Sequence, residues 1–202
     1  MRRVREYMAA AAVLALAATA AVSAPSKDGW IELFNGKDLS GWHVRHEGSQ
    51  NGWKVENGML VNTPPSTDLV SDQKFRDFEL HYEYMIPARS NSGVYLRGRY
   101  EIQIDDAHGR QPESHQNGAI YGIITPSTNA SKPAGEWQTV DAKIVGDRTT
   151  VVLNGTKIID NAQVRLTGAA LDDKEAEPGA IMLQGDHGKV TFRSVRIRPL
   201  KS

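Results

Sequence analysis

Apolar and polar residues alternate along most of the chain after residue 24, which is the pattern of half-buried β-strands. The clearest example is the run RYEIQIDD (99–106), which predicts a strand with two unlike faces. One face carries apolar side chains: Tyr100, Ile102 and Ile104. The other carries three polar side chains in a row: Glu101, Gln103 and Asp105. A polar row on a strand backed by apolar packing suits a site that binds a sugar across a sheet, although it is also typical of a plain exposed face.

Turn signals divide the remaining alternation into short strands. Asn57-Gly58 and Asn154-Gly155 each lie between two apolar runs, so both predict tight β-hairpins. Further strands are predicted at 77–86, 92–98, 119–123, 137–145, 180–184 and 189–198. In the last of these the apolar phase changes, and a β-bulge near Arg193-Ser194 would account for the change.

Two long polar segments, 107–117 and 161–178, are predicted to be loops, and long loops in β domains are often functional. The second contains an acidic stretch, 172–177, that is better read as a solvated loop than as a helical turn. Many short strands with few or no helices favour an all-β, two-sheet jelly-roll sandwich, with a closed barrel as the alternative.

The first 24 residues have the composition of a secretory signal peptide. Three arginines precede an Ala-rich apolar run that ends in Val22-Ser23-Ala24. Cleavage there would leave one domain, 25–202, with 21 basic and 23 acidic residues and no cysteine. A charge so near zero excludes an electrostatic footprint for nucleic acid or for an anionic membrane. We expect a periplasmic or secreted protein without disulfides.

A set of motifs, in order along the whole mature chain, resembles one family of exported bacterial domains. The motifs are GWIELFNGKDLSGW (29–42), WKVENGMLV (53–61), FRDFELHYEYMIP (75–87), NSGVYLRGRYEIQIDD (91–106), GAIYGI (118–123), NASKPAGEWQ (129–138), VVLNGTKIID (151–160) and PGAIMLQGDHG (178–188). The family is that of 3-keto-disaccharide hydrolases, or 3-keto-glucoside 1,2-lyases with 3-keto-2-hydroxyglucal hydratase activity. The resemblance implies a concanavalin-A-like jelly roll that acts on small oxidised glucosides.

The implied chemistry requires a base at C2, donors for an enolate oxygen and an acid for the departing oxygen. Glu101 is the leading candidate for the base; the alternative is a surface Glu paired with Arg97 or Arg99. Asp105, a second candidate catalytic acid, would lie about 13 Å from Glu101 along a straight strand. That spacing, with Gln103 where laminarinase-type glucanases carry an acid, argues against the close carboxylate pair of a retaining glycosidase.

His187, between two glycines, is the third catalytic candidate because its unperturbed pKa suits proton transfer near neutrality. The candidate substrate-binding residues share a polar or aromatic group on the same motifs: Asn91, Tyr95, Arg97, Gln103, Tyr121, Lys132 and Gln184. Arg97 is expected in phase with Tyr95, with its guanidinium available to an enolate oxygen. Each also has a plain structural interpretation as a core, turn or solvated residue.

No cofactor is predicted, because no dinucleotide, phosphate-loop or paired-cysteine motif is present. A divalent cation near His108, His115 and Asp105 or Asp106 is the alternative. Because no redox cofactor is predicted in this chain, a separate sugar oxidoreductase must act upstream to oxidise the sugar to the ketone. Two rival functions stay open on the sequence alone: a non-catalytic carbohydrate-binding module and an ordinary glycoside hydrolase.

Overall fold

The computed structural model describes residues 26–201, so the expected signal peptide at 1–24 lies outside the described residues. Within 26–201 every regular element is a β-strand. The strands are β1 (Ile31–Glu32), β2 (Trp42–Val44), β3 (Trp53–Glu56), β4 (Met59–Asn62), β5 (Leu69–Phe75), β6 (Phe78–Met85), β7 (Asn91–Leu96), β8 (Tyr100–Asp105), β9 (Gln138–Val145), β10 (Arg148–Leu153), β11 (Thr156–Gln163), β12 (Gly179–Leu183) and β13 (Val190–Pro199).

These strands form two antiparallel sheets, which confirms the predicted sandwich. The larger has the order β11-β10-β9-β6-β13-β4-β3, with β1 added beside β13. The smaller has the order β2-β5-β12-β7-β8. Successive strands often belong to different sheets, for example β4, β5, β6 and β7, so the chain crosses between the sheets repeatedly, as expected for a jelly roll.

One large apolar cluster fills the space between the sheets. Alternate residues of both sheets are fully buried in it, for example Leu80 of β6 and Ile102 of β8, each with no exposed surface. A smaller cluster of Val70, Tyr95, Ala180 and Met182 lies on the opposite face of the five-stranded sheet. That sheet therefore buries both of its faces, and its second face carries the site described below.

Both predicted hairpins and the predicted bulge are confirmed. Val55 pairs with Leu60 across Asn57-Gly58, and Leu153 pairs with Thr156 across Asn154-Gly155. In β13 the register shifts between Phe192 and Ser194, so that apolar residues on both sides of the bulge face the core.

The prediction of a strand at 119–123 is wrong. Only isolated bridges form there, from Ile120 to Ile102 and to Ile124, because the segment turns back on itself after touching the edge of β8. The acidic stretch 172–177 forms turns, as expected of a solvated loop. No helix within residues 26–201 is long and apolar enough to cross a membrane.

Candidate active site

The site is built on the β7–β8 hairpin, on the face of the smaller sheet turned away from the main core. Tyr95 lies directly opposite Glu101, and Gly93 lies opposite Gln103. The apolar side of β8 packs into the main core, which holds the polar side in a fixed direction. The predicted alternation of this strand is confirmed, and its polar face is nearly closed to solvent, since Glu101 is only 3% exposed.

Two loops complete the free edge of β8. The Thr167 hydroxyl accepts a hydrogen bond from the Glu101 amide at 3.0 Å, and the Thr167 amide donates to the Arg99 carbonyl. The Tyr121 amide donates to the Glu101 carbonyl at 3.0 Å. Because the backbone of Glu101 is bound by both loops, residues of both loops line the same cavity as its carboxyl group.

Between these loops and the sheet lies a cavity of about 210 Å³. Its lining includes most of the candidate site residues that were predicted from the sequence: Asn91, Tyr95, Glu101, Gln103, Tyr121, Gln184 and His187. Gly168 and Ala169, from the long loop after β11, complete it.

The environment of Glu101 suits a proton acceptor that works near neutrality. Burial raises the pKa of Glu101 to about 7, and the charges of Asp68 and Asp186 act in the same direction. Hydrogen bonding from Tyr95 and the charge of His187 oppose the rise in pKa only in part. A carboxyl with its pKa near the working pH is the form of this group best matched to general acid–base catalysis.

An amide relay supports the carboxyl group. In the amide orientation that satisfies both of its ends, Gln103 donates to Glu101 Oε1 at 3.2 Å and accepts from Asn91 Nδ2 at 3.1 Å. A methyl group on Gly93 would lie 2.4 Å from Glu101 Oε1, so glycine at this position makes room for the carboxylate. The relay therefore fixes where the base points.

Gln184 presents an unsatisfied acceptor to the cavity. It is 6% exposed, and its Nε2 donates to the Tyr95 hydroxyl at 3.4 Å while its Oε1 has no partner. The Tyr95 hydroxyl lies 3.3 Å from the Gly168 carbonyl and also contacts the Glu101 carboxyl group, and its one proton is shared between these two acceptors. A buried oxygen without a donor is unfavourable unless a ligand supplies one, and a sugar hydroxyl is such a donor.

His187 lies at the mouth of the cavity. Its side chain is 52% exposed, and Nδ1 lies 2.5 Å from Asp186 Oδ1. The carboxylate orients the ring, which leaves the other nitrogen available to a bound molecule.

Arg97 lies elsewhere, so the expectation that it shares a face with Tyr95 is wrong. Strand β7 ends at Leu96, and Arg97 begins the hairpin turn with a φ of 54°. Its guanidinium is 1% exposed and donates to the carbonyls of Arg76 and Gly146 and to Asp77 Oδ1. Each of its three nitrogens is hydrogen-bonded within the fold, so Arg97 is not placed to hold a substrate oxygen.

Asp105 and Lys132 also lie outside the cavity lining. Asp105 accepts the Asn117 amide at 2.6 Å, and burial raises the pKa of its carboxyl group. Lys132 is exposed, and its Nζ donates to the Trp137 carbonyl at 3.2 Å. The geometry therefore ties Asp105 to a loop backbone and Lys132 to the start of β9, and neither meets Glu101 in the cavity.

The sequence reasoning missed an ionic connection across the site. Arg45 donates to Asp68 at 3.0 Å and to the carbonyls of Ala169 and Ala170 at 2.9 and 3.1 Å. Asp68 accepts the Gly185 amide at 3.0 Å. One guanidinium thus holds the loop that covers the cavity to the segment that carries His187. No local sequence pattern identifies Arg45 as part of the site, because its partners are more than 20 residues away in sequence.

Within residues 26–201, no group of three or more His, Asp or Glu side chains is placed to hold a metal ion. His108 Nδ1 donates to the Ser131 carbonyl at 2.7 Å, and the His115 ring contacts the Tyr121 ring. The prediction that the protein needs no cofactor stays a prediction.

The two-sheet fold defines the class: all-β jelly-roll domains. The β-glucanase of Bacillus licheniformis superposes with a TM-score of 0.54 over 85% of this chain and 97% of its own, at 14% identity, which shows the fold alone. A model of the 3-keto-α-glucoside-1,2-lyase-like domain matches residues 29–198. The chain therefore belongs to that family.

More specific relatives agree with this assignment. A protein of Bacteroides thetaiotaomicron named 3-keto-disaccharide hydrolase is 24% identical over 161 residues, which are 62% of this chain and 55% of that protein. The chain thus spans little more than half of that curated relative. A solved structure from Parabacteroides distasonis, provisionally described as a glycosyl hydrolase, is 29% identical with a TM-score of 0.72, covering 85% of this chain and 84% of its own.

Proposed function

We propose that this protein cleaves 3-keto-glucosides by elimination across C1 and C2 followed by rehydration, with Glu101 as the base. The observation that carries the proposal is the buried Glu101 carboxyl, with its pKa raised to about 7, on the wall of a cavity of about 210 Å³. Family membership and the named relative support the substrate class. Export, expected from residues 1–24, and an upstream sugar oxidoreductase are parts of the same proposal.

The ketone at C3 makes the C2 hydrogen acidic, because its removal gives an enolate. Glu101 takes this hydrogen as a proton, and the electron pair of the C–H bond passes into the enolate. The enolate then re-forms the ketone and expels the oxygen on C1, which leaves a C1–C2 double bond. Water adds at C1 and a proton returns to C2, so that the net change is hydrolysis. No step needs an oxidant or reductant.

Neutral donors in the cavity suit the enolate oxygen. The Asn91 and Gln184 side-chain amides line the cavity with Glu101, and each NH₂ group has a second N–H beyond the hydrogen bond already described. A low-dielectric site makes such hydrogen bonds stronger than in water. We assign the proton of the departing oxygen to His187, because it lies at the mouth with one ring nitrogen oriented by Asp186.

Ordinary retaining hydrolysis fits this site poorly. It requires two carboxyl groups about 5–5.5 Å apart on either side of one carbon. Glu101 lines the cavity, whereas Asp105 is engaged by the Asn117 backbone outside it. Elimination needs only one carboxylate at C2.

The test is turnover of a 3-keto-disaccharide in D₂O, stopped early. Elimination and rehydration place deuterium at C2 of the released 3-keto-glucose, whereas direct hydrolysis leaves hydrogen there. We expect deuterium at C2, and no cleavage of the unoxidised disaccharide. Release of product that retains hydrogen at C2 would contradict the mechanism. Binding without any release would support a carbohydrate-binding module.

A further inference from the structure

We propose that Tyr121 and His115 form the subsite for the leaving group, and that they select a sugar over a small alkyl group. The inference rests on the proposed function and extends it to the part of the substrate beyond C1. Neither ring is required to act on the C2 hydrogen.

The position of His187 implies such a subsite. Glu101 lines a cavity of about 210 Å³, and we place the oxidised ring in it, against that carboxyl group. The second unit of a disaccharide then extends toward the mouth, where His187 is half exposed. Since His187 at the mouth is the proposed donor to the departing oxygen, the group attached to that oxygen also lies there.

Tyr121 is the partly exposed aromatic residue of the cavity lining; Tyr95, by contrast, is 1% exposed. Aromatic side chains commonly supply the apolar surface of ligand sites, and a pyranose ring offers its C–H groups to such a surface. The Tyr121 ring is thus placed to contact both the cavity and the solvent side of the mouth.

His115 supports that ring and adds a polar group outside it. The two rings are perpendicular, with centroids 4.7 Å apart, and Ser114 Oγ lies 3.2 Å from His115 Nδ1. His115 is exposed, so its other nitrogen can meet a hydroxyl of a second sugar unit.

The loop backbone fixes both rings relative to the base. The Gly122 amide donates to the Ser114 carbonyl at 2.8 Å, and the Tyr121 amide donates to the Glu101 carbonyl at 3.0 Å. A surface held in place before binding loses little entropy when the ligand arrives, which makes its contacts effective.

The experiment compares two substrates with the same oxidised ring: an α-linked 3-keto-disaccharide and methyl 3-keto-α-glucoside. Loss of one aromatic contact should cost about 10-fold to 100-fold, which corresponds to about 1.4–2.8 kcal/mol. We expect Tyr121→Ala to lower kcat/KM for the disaccharide by about that factor and for the methyl glucoside by less than about threefold. Tyr121→Phe should retain the preference, and His115→Ala should lower it by a smaller factor.

His108→Ala is the matched control, because His108 lies in the same loop but bonds to the Ser131 backbone. It should leave the ratio of the two substrates unchanged. An equal loss on both substrates in Tyr121→Ala would place Tyr121 against the oxidised ring and overturn the proposal. An unchanged ratio in both the Tyr121 and His115 variants would also overturn it.

Binding provides a readout that does not depend on turnover. Calorimetry with the Glu101→Gln protein should show tighter binding of the disaccharide than of the methyl glucoside, and adding Tyr121→Ala should remove the difference. If the wild-type protein turns over neither substrate, the proposed function fails, while this difference in affinity still decides the subsite. Equal affinities for the two ligands would refute the subsite by itself.

Discussion

Two of the buried charged groups on the β7–β8 hairpin, Arg97 and Glu101, have surroundings that differ completely. At its turn, Arg97 is 1% exposed, and its guanidinium donates to two carbonyls and to Asp77. Four residues later, Glu101 is 3% exposed, and burial raises its pKa to about 7 beside a cavity. The sequence pattern gives no reason to assign different roles to Arg97 and Glu101.

The difference shows how to distinguish a structural charge from a functional one. A buried ion that is fully hydrogen-bonded stabilises one arrangement of the chain and has no capacity left for a ligand. A buried acid whose charged form is poorly compensated, next to space and to the unpartnered Oε1 of Gln184, is suited to exchange protons with something that enters. The predictions below test this contrast, beginning with the largest effect.

Glu101→Gln should lower kcat on a 3-keto-disaccharide by about 10²-fold to 10⁴-fold, because the amide keeps the shape but cannot accept the proton. Steady-state kinetics on folded protein checks this. Lys132→Ala is the control, since Lys132 is exposed outside the cavity, and it should keep the wild-type rate. A Glu101→Gln protein within a few-fold of wild type would remove Glu101 from the chemistry.

Arg97→Met should lower the free energy of unfolding by about 3–5 kcal/mol, because Asp77 loses its partner and two carbonyls lose donors. Urea unfolding measures it, and the folded fraction should keep kcat within about threefold. Arg148→Met, which removes one exposed hydrogen bond to Asn161, should cost under about 0.5 kcal/mol. If Arg97→Met lost turnover but kept its stability, Arg97 would be a functional residue and not a structural one.

The pH dependence of stability should also reveal Glu101. Its pKa is raised from 4.5 to about 7 on folding, so the folded protein holds this proton more tightly than the unfolded chain. The resulting stabilisation is complete below about pH 4.5 and is lost as the pH rises through about 7, in total about 3 kcal/mol.

The Glu101→Gln variant has no titratable group at this position, so it lacks this pH-dependent stabilisation. Relative to wild type, the variant should therefore gain about 3 kcal/mol between about pH 4 and pH 8, as measured by urea unfolding at several pH values. Parallel stability curves for the two proteins would mean that Glu101 ionises as freely in the fold as in the unfolded chain.

Arg45→Met should have a smaller effect, confined to the loop that covers the cavity. Loss of the bonds to Asp68 and the Ala169 carbonyl should raise KM by about tenfold and change kcat less, because the base itself is untouched. Hydrogen exchange of residues 167–171 should become faster. Arg193→Met, which removes a surface pair with Glu83, is the control. Unchanged exchange in Arg45→Met would show that the loop holds itself in place.

The sequence predicted the sheets better than the site, for a physical reason. Alternation and Asn-Gly turns are local signals, so both hairpins and the bulge in β13 could be read from residues close together in the chain. Segment 119–123 failed because its apolar residues cover the edge of β8 through single bridges instead of forming a ladder. A local sequence pattern cannot distinguish a strand that forms a ladder from a segment held by isolated bridges.

The same distinction between local and distant signals applies to the site residues. Glu101 and Gln103 were predictable because their strand phase fixes their direction. Arg97 was not, since a left-handed turn residue breaks the phase one position after the strand ends. The role of Arg45 depends on partners such as Ala169, 124 residues away, and no local pattern records such a contact.

A titration of the Glu101 carboxyl group itself tests most directly whether Glu101 is a tuned base. Carbon-13 NMR of protein labelled at glutamate side-chain carboxyls, with the signal assigned by its absence in Glu101→Gln, would follow that group alone. We predict a midpoint of about 7. A midpoint at or below the ordinary 4.5 would show that Glu101 is a stable anion at neutral pH, and would contradict its assignment as a tuned base.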